Sequence, residues 1–400
     1  LGDVYKRQLQ KYPSLFPSTP SEQAPDVIAY VDPKFKMPQV WRSNLNVDIQ
    51  LPYDFMLSVG AMYTRDIYNV AQINMNEAEP TGVYNEQPDR IYWASKKYEY
   101  NDYTNGKNVV VKLSNGEDKG YQYSFNAILT KKYDFGFTGS IGYTYTMAKD
   151  LTANPGSAPN SAWQNNVAVN SLNDPGVSYS LFSTPHRIIA NASYEINYAK
   201  CLKTTFSLFY SGYHTGRYSY TYYNDMNGDG NYSDLIYVPN SQDEMTFVDI
   251  TDKSGAITYS AVDQAKDFWD FVNNDSYLKD RKGKYVERNG SLTPWINRFD
   301  FKIAQDFYAT LGGRKYGIQV SLDMLNVGNM INSKWGAYQS CGLKSYDNVQ
   351  LLKTASKVGE PLTYQINANS REAFKERSSW QYTNTIGSAW SMQLGVKVTF

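Results

Sequence analysis

The sequence predicts an all-β fold, an antiparallel transmembrane β-barrel with long extracellular loops and one short loop helix. Three observations carry that expectation. The chain ends on Trp390-Ser391-Met392-Gln393-Leu394-Gly395-Val396-Lys397-Val398-Thr399-Phe400, apolar at every even position and polar or Gly at every odd one. Successive strand side chains point to opposite faces, so this is a strand with one wholly apolar face. Its length suits the tilted crossing of a bilayer by a strand of about 9–11 residues. The same alternation recurs along the chain. Short and long connections between the alternating runs follow one another in strict order.

The runs can be taken in turn. Leu45, Val47, Ile49 and Leu51 alternate with Asn44, Asn46, Asp48 and Gln50, and Phe55, Leu57, Val59, Ala61 and Tyr63 share one face of the next run. Tyr121, Tyr123, Phe125, Ala127 and Leu129 oppose Gln122, Ser124, Asn126 and Thr130, with Ile128 as the exception. Phe137, Ile141, Tyr143, Tyr145 and Met147 oppose Thr138, Ser140, Gly142, Thr144 and Thr146. Ile188, Ala190, Ala192, Tyr194, Ile196 and Tyr198 oppose Arg187, Asn191, Ser193, Glu195 and Asn197. Phe206, Leu208 and Tyr210 continue the series. Phe299, Phe301, Ile303 and Phe307 oppose Arg298, Asp300, Lys302 and Asp306, and Ile318, Val320, Leu322 and Met324 oppose Gln319, Ser321 and Asp323. With the terminal run these make nine half-buried strands.

Residues 52–54, 132–135, 199–203 and 309–316 are short connections with Pro, Asp, Gly or Lys turn chemistry. Between them lie long polar stretches at 66–118, 150–185, 219–294 and 328–388. Bacterial barrels pair short periplasmic turns with long extracellular loops. A sandwich has no reason to sort its loops this way, and long structureless loops are uncommon in compact soluble domains. In the third long stretch, residues 261–280 place Ala261, Ala265, Phe268, Trp269, Val272 and Leu278 at helical spacing, an amphipathic helix expected to fold over the barrel mouth.

Composition agrees. Lys+Arg and Asp+Glu both number 39, so the zero net charge gives no support to nucleic-acid binding. No run of about 18 apolar residues occurs that would make a transmembrane helix. The chain still holds 36 Tyr, 17 Phe and 8 Trp, as expected where half of each strand faces a polar lumen and aromatics form interface girdles. A Tyr-rich secreted sandwich shares that composition. Cys201 and Cys341 form neither a disulfide framework nor a zinc pattern. On this topology they lie on opposite sides of the membrane, out of each other's reach.

With Phe400 at the periplasm, the last strand and the first both run inward, and residues 9–43 form an extracellular region. Residues 44–400 are then the C-terminal part of a longer barrel, since nine is odd and single-chain bacterial barrels have even strand numbers. The opening LGDVYKRQ (1–8) reads as translated adapter sequence, and Leu1 in place of Met, with no signal peptide, points to a truncated start.

The chain resembles the C-terminal barrel of TonB-dependent outer-membrane receptors of the large Oar-like type found in Bacteroidetes. The carriers are STPHRIIANASYEI (183–196), DMNGDGNYSDLIYVP (225–239), YLKDRKGKYVERNGSLTPWINRFDFKIAQDF (277–307), DMLNVGN (323–329) and QLGVKVTF (393–400), within a similarity over most of 37–400. The resemblance implies a barrel of about 22 strands filled by an N-terminal plug, of which these would be the last nine. It further implies a scarce extracellular ligand taken inward, energised by the TonB complex acting on the plug. Implied partners are outer-membrane lipid, the plug and remaining strands, the TonB complex through the region this chain lacks, the outer-membrane assembly machinery and a candidate surface lipoprotein, with no nucleic acid. The site is the outer membrane of a Gram-negative cell.

Three sets of residues stand out. Asp225, Asn227, Asp229 and Asn231 alternate around Gly230, the first half of a calcium loop, with Ile236 where a bidentate Glu belongs and Asp234 or a residue from another loop as the substitute ligand. An exposed Asx/Gly turn is the competing reading. Structural calcium is the one cofactor to be considered. Tyr218, Tyr220, Tyr222 and Tyr223 offer flat hydroxylated rings for a glycan or peptide, or else mark a strand rising past the membrane interface. Trp390, Met392, Leu394, Val396, Val398 and Phe400 form the expected assembly signal.

No catalytic motif is present: there is no GxSxG, HExxH, Walker loop or dinucleotide fingerprint, and His186 and His214 have no indicated nucleophile partner. The expectation is a non-enzyme. A passive porin or surface adhesin barrel would share these patterns, and a secreted β-rich glycan-binding protein remains the soluble alternative.

Overall fold

A computed structural model describes residues 27–100, 109–232, 234–341, 344–345, 348–367, 374, 380–383 and 385–400. The adapter-like residues 1–8, and the part of the expected extracellular region up to residue 26, lie outside them. The frame is one antiparallel sheet in which each strand pairs with the next in sequence. Its nine long strands are β1 (Gln39–Leu51), β2 (Phe55–Tyr68), β3 (Tyr121–Lys132), β4 (Phe137–Asp150), β5 (His186–Tyr198), β6 (Leu202–His214), β7 (Trp295–Leu311), β8 (Arg314–Leu325) and β9 (Ser391–Thr399), and a tenth, two-residue strand, Ser178–Tyr179, pairs with the end of β4. All nine expected strands are present, most of them longer than the alternation alone marked. The first begins at Gln39, so the strand takes in residues 39–43, ahead of Asn44 where the alternation marked its start.

The register explains why the alternation survives across the sheet. Val47 lies opposite Val59, and Val59 opposite Ala127. Leu208 faces Phe301, and Phe301 faces Met324. Leu322 then faces Leu394. A slip of one residue at any pair would turn a whole apolar set to the wrong face. The result is a continuous apolar surface that nothing in the described chain covers: Leu45, Leu394 and Val396 are 67 %, 72 % and 66 % exposed. Such a surface finds its partner in lipid.

The opposite face is polar and internally paired. Lys203 lies 3.3 Å from Glu195 and 3.6 Å from Asp306, Lys302 lies 2.8 Å from Asp323, and Arg298 meets Asp300 at 3.1 Å. Ile128, the exception to the pattern, lies on this face opposite Gly142, with Ile189 on the far side. A Cβ at Gly142 would stand 3.2 Å from both isoleucines, so the glycine lets two apolar side chains meet across a polar wall.

Four short turns close one end. Tyr53-Asp54, Ala199-Lys200 and Gly312-Gly313 have positive φ at both residues, which matches the right-handed twist of the paired strands. Non-glycine residues in two of these turns bear the strain of the left-handed region. The expected turn at 309–316 shrinks to Gly312-Gly313, because β7 and β8 pair as far as Leu311 and Arg314. β1 and β9 are the two edges of the sheet and do not pair with each other.

The four long connections (69–120, 151–185, 215–294 and 326–390) all leave the other end. They are not irregular, as their polarity suggested. Every residue of the main buried apolar cluster comes from them, including Tyr84, Val167, Tyr222, Phe268, Leu351 and Ile366. A second sheet runs through them: Arg217–Tyr222 pairs in parallel with Asn348–Thr354, which also pairs with Tyr364–Ile366. Among the described residues, α-helices with defined bounds are α1 (Pro159–Gln164), α2 (Ala261–Asn274) and α3 (Gly328–Ile331). The expected loop helix is α2, and it stops at Asn274, short of 280. Ser260 caps it by accepting from the Asp263 N–H at 3.1 Å. Asp275 ends it by accepting from the Tyr277 and Leu278 N–H groups at 2.9 and 2.8 Å. The buried face of α2 is Phe268, Phe271 and Val272, with Gln264 donating to the Val248 and Tyr259 carbonyls.

Replacing Leu394 by Arg is expected to cost the folded sheet about 2–4 kcal/mol, as a cation does near the bilayer midplane. Gln393→Arg, on the polar face of the same strand, is expected to be near neutral. Urea titration of the folded protein in lipid vesicles checks both; equal losses would mean that the two faces are misassigned.

Candidate functional site

The strand Arg217–Tyr222 is buried along its whole length. Tyr218, Tyr220 and Tyr222 point to one side, into the core of the long connections. The Tyr218 and Tyr220 hydroxyls lie 3.1 Å apart, and Tyr220 donates to Asp275 at 2.7 Å. The Tyr222 hydroxyl accepts from Gln87 Nε2 at 2.9 Å. Burial pushes the Tyr218 phenol up to about 12 and holds the Tyr220 phenol well above its ordinary value. These three rings are structural and out of reach of an external ligand, which corrects the weak ligand-binding expectation; Tyr223, 48 % exposed, alone remains at the surface. The other face carries Arg217, Ser219 and Thr221, also buried. A strand covered on both faces loses the polar-out signature, so alternating Tyr with Ser and Thr read as a surface.

The tyrosines meet a polar node that sequence reading missed. Arg90 is fully buried. Its guanidinium donates to the carbonyls of Val169 and Leu235, and its Nε to Gln87 Oε1 at 3.1 Å. It lies 3.6 Å from Asp234 and stacks 4.7 Å from the centre of the Tyr285 ring. Gln87 Nε2 donates to the hydroxyls of Tyr222 and Tyr364, at 2.9 and 2.8 Å. One Arg–Gln pair from the first long connection thus reaches the second, third and fourth. Two more buried arginines do similar work where connections leave the sheet. Arg288 donates to the Asp150 and Leu151 carbonyls, and Arg217 to those of Ser183 and Asn289.

The calcium-like loop lies beside this node. Asp225 accepts from the N–H groups of Gly228 and Gly230 at 2.8 and 2.9 Å, Asn227 from Asp229 at 3.0 Å, and Asp229 from Asn231 at 2.7 Å. Gly228 and Gly230 have φ of +83° and +93°, which explains why glycine occupies both positions. The loop is buried rather than exposed: Asn227, Asp229, Asn231 and Asp234 are all inside. Asp234 does not complete the ring of the loop. It accepts from the Met226 N–H at 3.1 Å and faces Arg90. Among the described residues, no three His, Cys, Asp or Glu side chains stand in metal-holding geometry. Burial raises the Asp234 carboxyl to about 7, against the opposing pull of Arg90. Burial, with Asp234 and Asp225 as neighbours, holds Asp229 well above the usual carboxylate range.

The terminal residues lie where the alternation placed them. Met392, Leu394, Val396 and Val398 are on the apolar face of β9, opposite Met324, Leu322, Val320 and Ile318. Trp390 and Phe400 flank the strand, half-exposed and exposed. Cys201 sits exposed at a short turn and Cys341 is buried in the fourth long connection. His186 bonds the Tyr143 hydroxyl at 2.7 Å and His214 the Thr293 carbonyl at 2.6 Å, at the rim from which the long connections leave.

A strand-by-strand antiparallel sheet with a bare apolar face, a charged opposite face, tight turns at one end and folded connections at the other defines an outer-membrane β-barrel protein. A family model described as outer membrane beta barrel domain matches residues 5–335, and the chain belongs to that family. The protein resides in the outer membrane of a Gram-negative bacterium. No curated protein and no solved structure matches it.

Arg90→Met is expected to destabilise the long-connection assembly by about 3–5 kcal/mol, because it leaves Asp234 buried without its cation. Limited proteolysis should then cut within 69–120 and 215–294 while the sheet persists. Adding Asp234→Asn should restore part of the resistance; no restoration would mean that the Arg90 carbonyl contacts, not the ion pair, hold the node.

The raised carboxyls give a pH dependence. Each folded-state value lies above the unfolded one, so their favourable contribution is complete below the unfolded value and is lost as pH rises through about 7. In chelator, protease resistance of the long connections is expected to be higher near pH 5 than near pH 8, as linkage requires. A flat profile would overturn this.

Proposed function

We propose that this chain is barrel wall and outer face of a TonB-dependent outer-membrane receptor of the Oar-like type, which takes up a scarce extracellular ligand through a plugged barrel. The observation that carries the reading is the long-connection assembly. Four connections share one dry core and one arginine node over a single end of the sheet. A passive pore gains nothing from so much ordered chain above its mouth, whereas a receptor needs a shaped surface that captures ligand before transfer. Two features support a larger barrel. The edges β1 and β9 are unpaired, and backbone groups left open in lipid cost several kcal/mol each, on the order of a lost hydrogen bond or more. The paired charges of the polar face, such as Lys203 between Glu195 and Asp306, suit contact with an aqueous lumen or a plug.

In this reading the plug and remaining strands complete the wall, and force transmitted from the inner-membrane TonB complex acts on the plug. The assembly machinery recognises the aromatic-ended β9, and a surface lipoprotein is a candidate partner for the outer face. The chain performs capture and passage, not catalysis.

Reading the gene upstream of the Gln8 codon tests the proposal. The expected result is a continuous frame encoding a signal peptide, a globular plug and roughly thirteen more alternating strands. A start codon close by, or strands with no plug, would remove energised import and leave a passive porin or an adhesin.

A further inference from the structure

We propose that a cavity between the first two long connections and the segment before β1 binds a small cationic ligand, with a basic oligopeptide as the best chemical fit. The cavity holds about 630 Å³, within the range of small-molecule sites. Its floor is made by Ala71, Ser114, Leu151, Trp163 and Leu172, all buried. Its walls carry Asp32, Lys34, Lys112, Glu117, Asp118 and Asp174, four carboxylates against two ammonium groups.

The site is rigid before any ligand arrives. Asn173 accepts from the Trp163 indole N–H at 3.1 Å and from the Asn74 N–H at 2.6 Å, and donates to the Asn74 carbonyl at 2.9 Å. Asn115 exchanges hydrogen bonds with the Lys36 backbone at 2.8 and 2.7 Å. Gln72 donates to Asn154 at 2.7 Å, tying the two connections together. Against these satisfied groups, Ser114 Oγ is buried at the floor with no hydrogen-bond partner. A buried hydroxyl left unpaired costs free energy that a bound polar group would recover.

The charges decide the ligand class. Among the described residues, the six charged wall residues form one ion pair, Asp32 with Lys112 at 3.8 Å, and the neighbouring Lys119 ammonium is held by the Gly116 carbonyl at 2.6 Å. Glu117 and Asp118 come from the first long connection and Asp174 from the second, and all three are exposed. They repel an acidic ligand and attract amino or guanidinium groups. Lys34, also exposed in the lining, offers a counter-charge for a terminal carboxylate. A short basic peptide satisfies both, while a neutral sugar leaves the charge surplus unanswered. The biological sense of this site rests on the receptor reading above; the binding itself does not.

Calorimetric titration of the full-length protein in detergent, at low salt, tests the inference. Trilysine is the probe, with maltotriose and triglutamate as comparisons. Trilysine is expected to bind and the other two not. Glu117→Gln with Asp118→Asn, and separately Asp174→Asn, should each weaken trilysine by about two- to fivefold per charge, as for exposed ion pairs. Asp243→Asn, an exposed acid elsewhere, should leave it unchanged. Ser114→Ala should weaken binding without lowering the stability of the free protein, which a purely structural hydroxyl would not do. No heat with trilysine, an affinity indifferent to the wall variants, or maltotriose binding equally well would overturn the proposal. A plug-bearing gene with no trilysine binding sinks this site and leaves the receptor reading standing. Trilysine binding without a plug does the reverse.

Discussion

Lipid offers no hydrogen-bond partner to a backbone, and that constraint shapes the molecule. Every N–H and C=O that crosses the membrane has to be met by a neighbouring strand. The nine strands answer with ladders running, for example, from Leu202–Phe307 to His214–Trp295 along one pair. Once the ladder is fixed, side chains have only two directions to take. One face must be apolar for lipid and the other polar for the lumen, so β1 to β9 share one register of alternation.

The same constraint leaves the sheet without a core of its own. A wall wetted on one side by lipid and on the other by water buries little. The apolar residues that a soluble domain would gather between layers are gathered in the long connections instead, around Tyr220, Tyr222, Phe268 and Leu351. Connections that begin and end on strand tips are polar where they turn, so their assembly carries many backbone carbonyls inward. Arg90, Arg217 and Arg288 answer this. A guanidinium has five donors in a fixed fork and can satisfy carbonyls from several chain segments at once.

How much of this could be read in advance differs by element. The strands were legible because their period is imposed by two solvents of opposite character. The sorting of short and long connections was legible because turn residues such as Gly312-Gly313 are local chemistry. Tyr218, Tyr220 and Tyr222 were misplaced because burial on both faces erases the polar-out half of the pattern. Asp234 looked like the next oxygen of the Asp225–Asn231 loop from its spacing. Its real partner, Arg90, comes from another connection, and no spacing within one segment records that. The cavity walled by Asp32, Glu117 and Asp174 drew on three separate segments and was invisible for the same reason.

By itself the sequence determined the fold class, the strand order, the lipid-facing set and the end at which the turns lie. Each of these follows from contacts between chain neighbours and the surrounding solvent. Only the tertiary structure decided that the long connections form one body, which tyrosines are core, where Arg90 sits and which acids line a cavity. Those outcomes depend on side chains that meet across 79 to 277 residues of sequence, as Arg90 meets Val169 and Gln87 meets Tyr364. A pattern of period two carries no information over that distance.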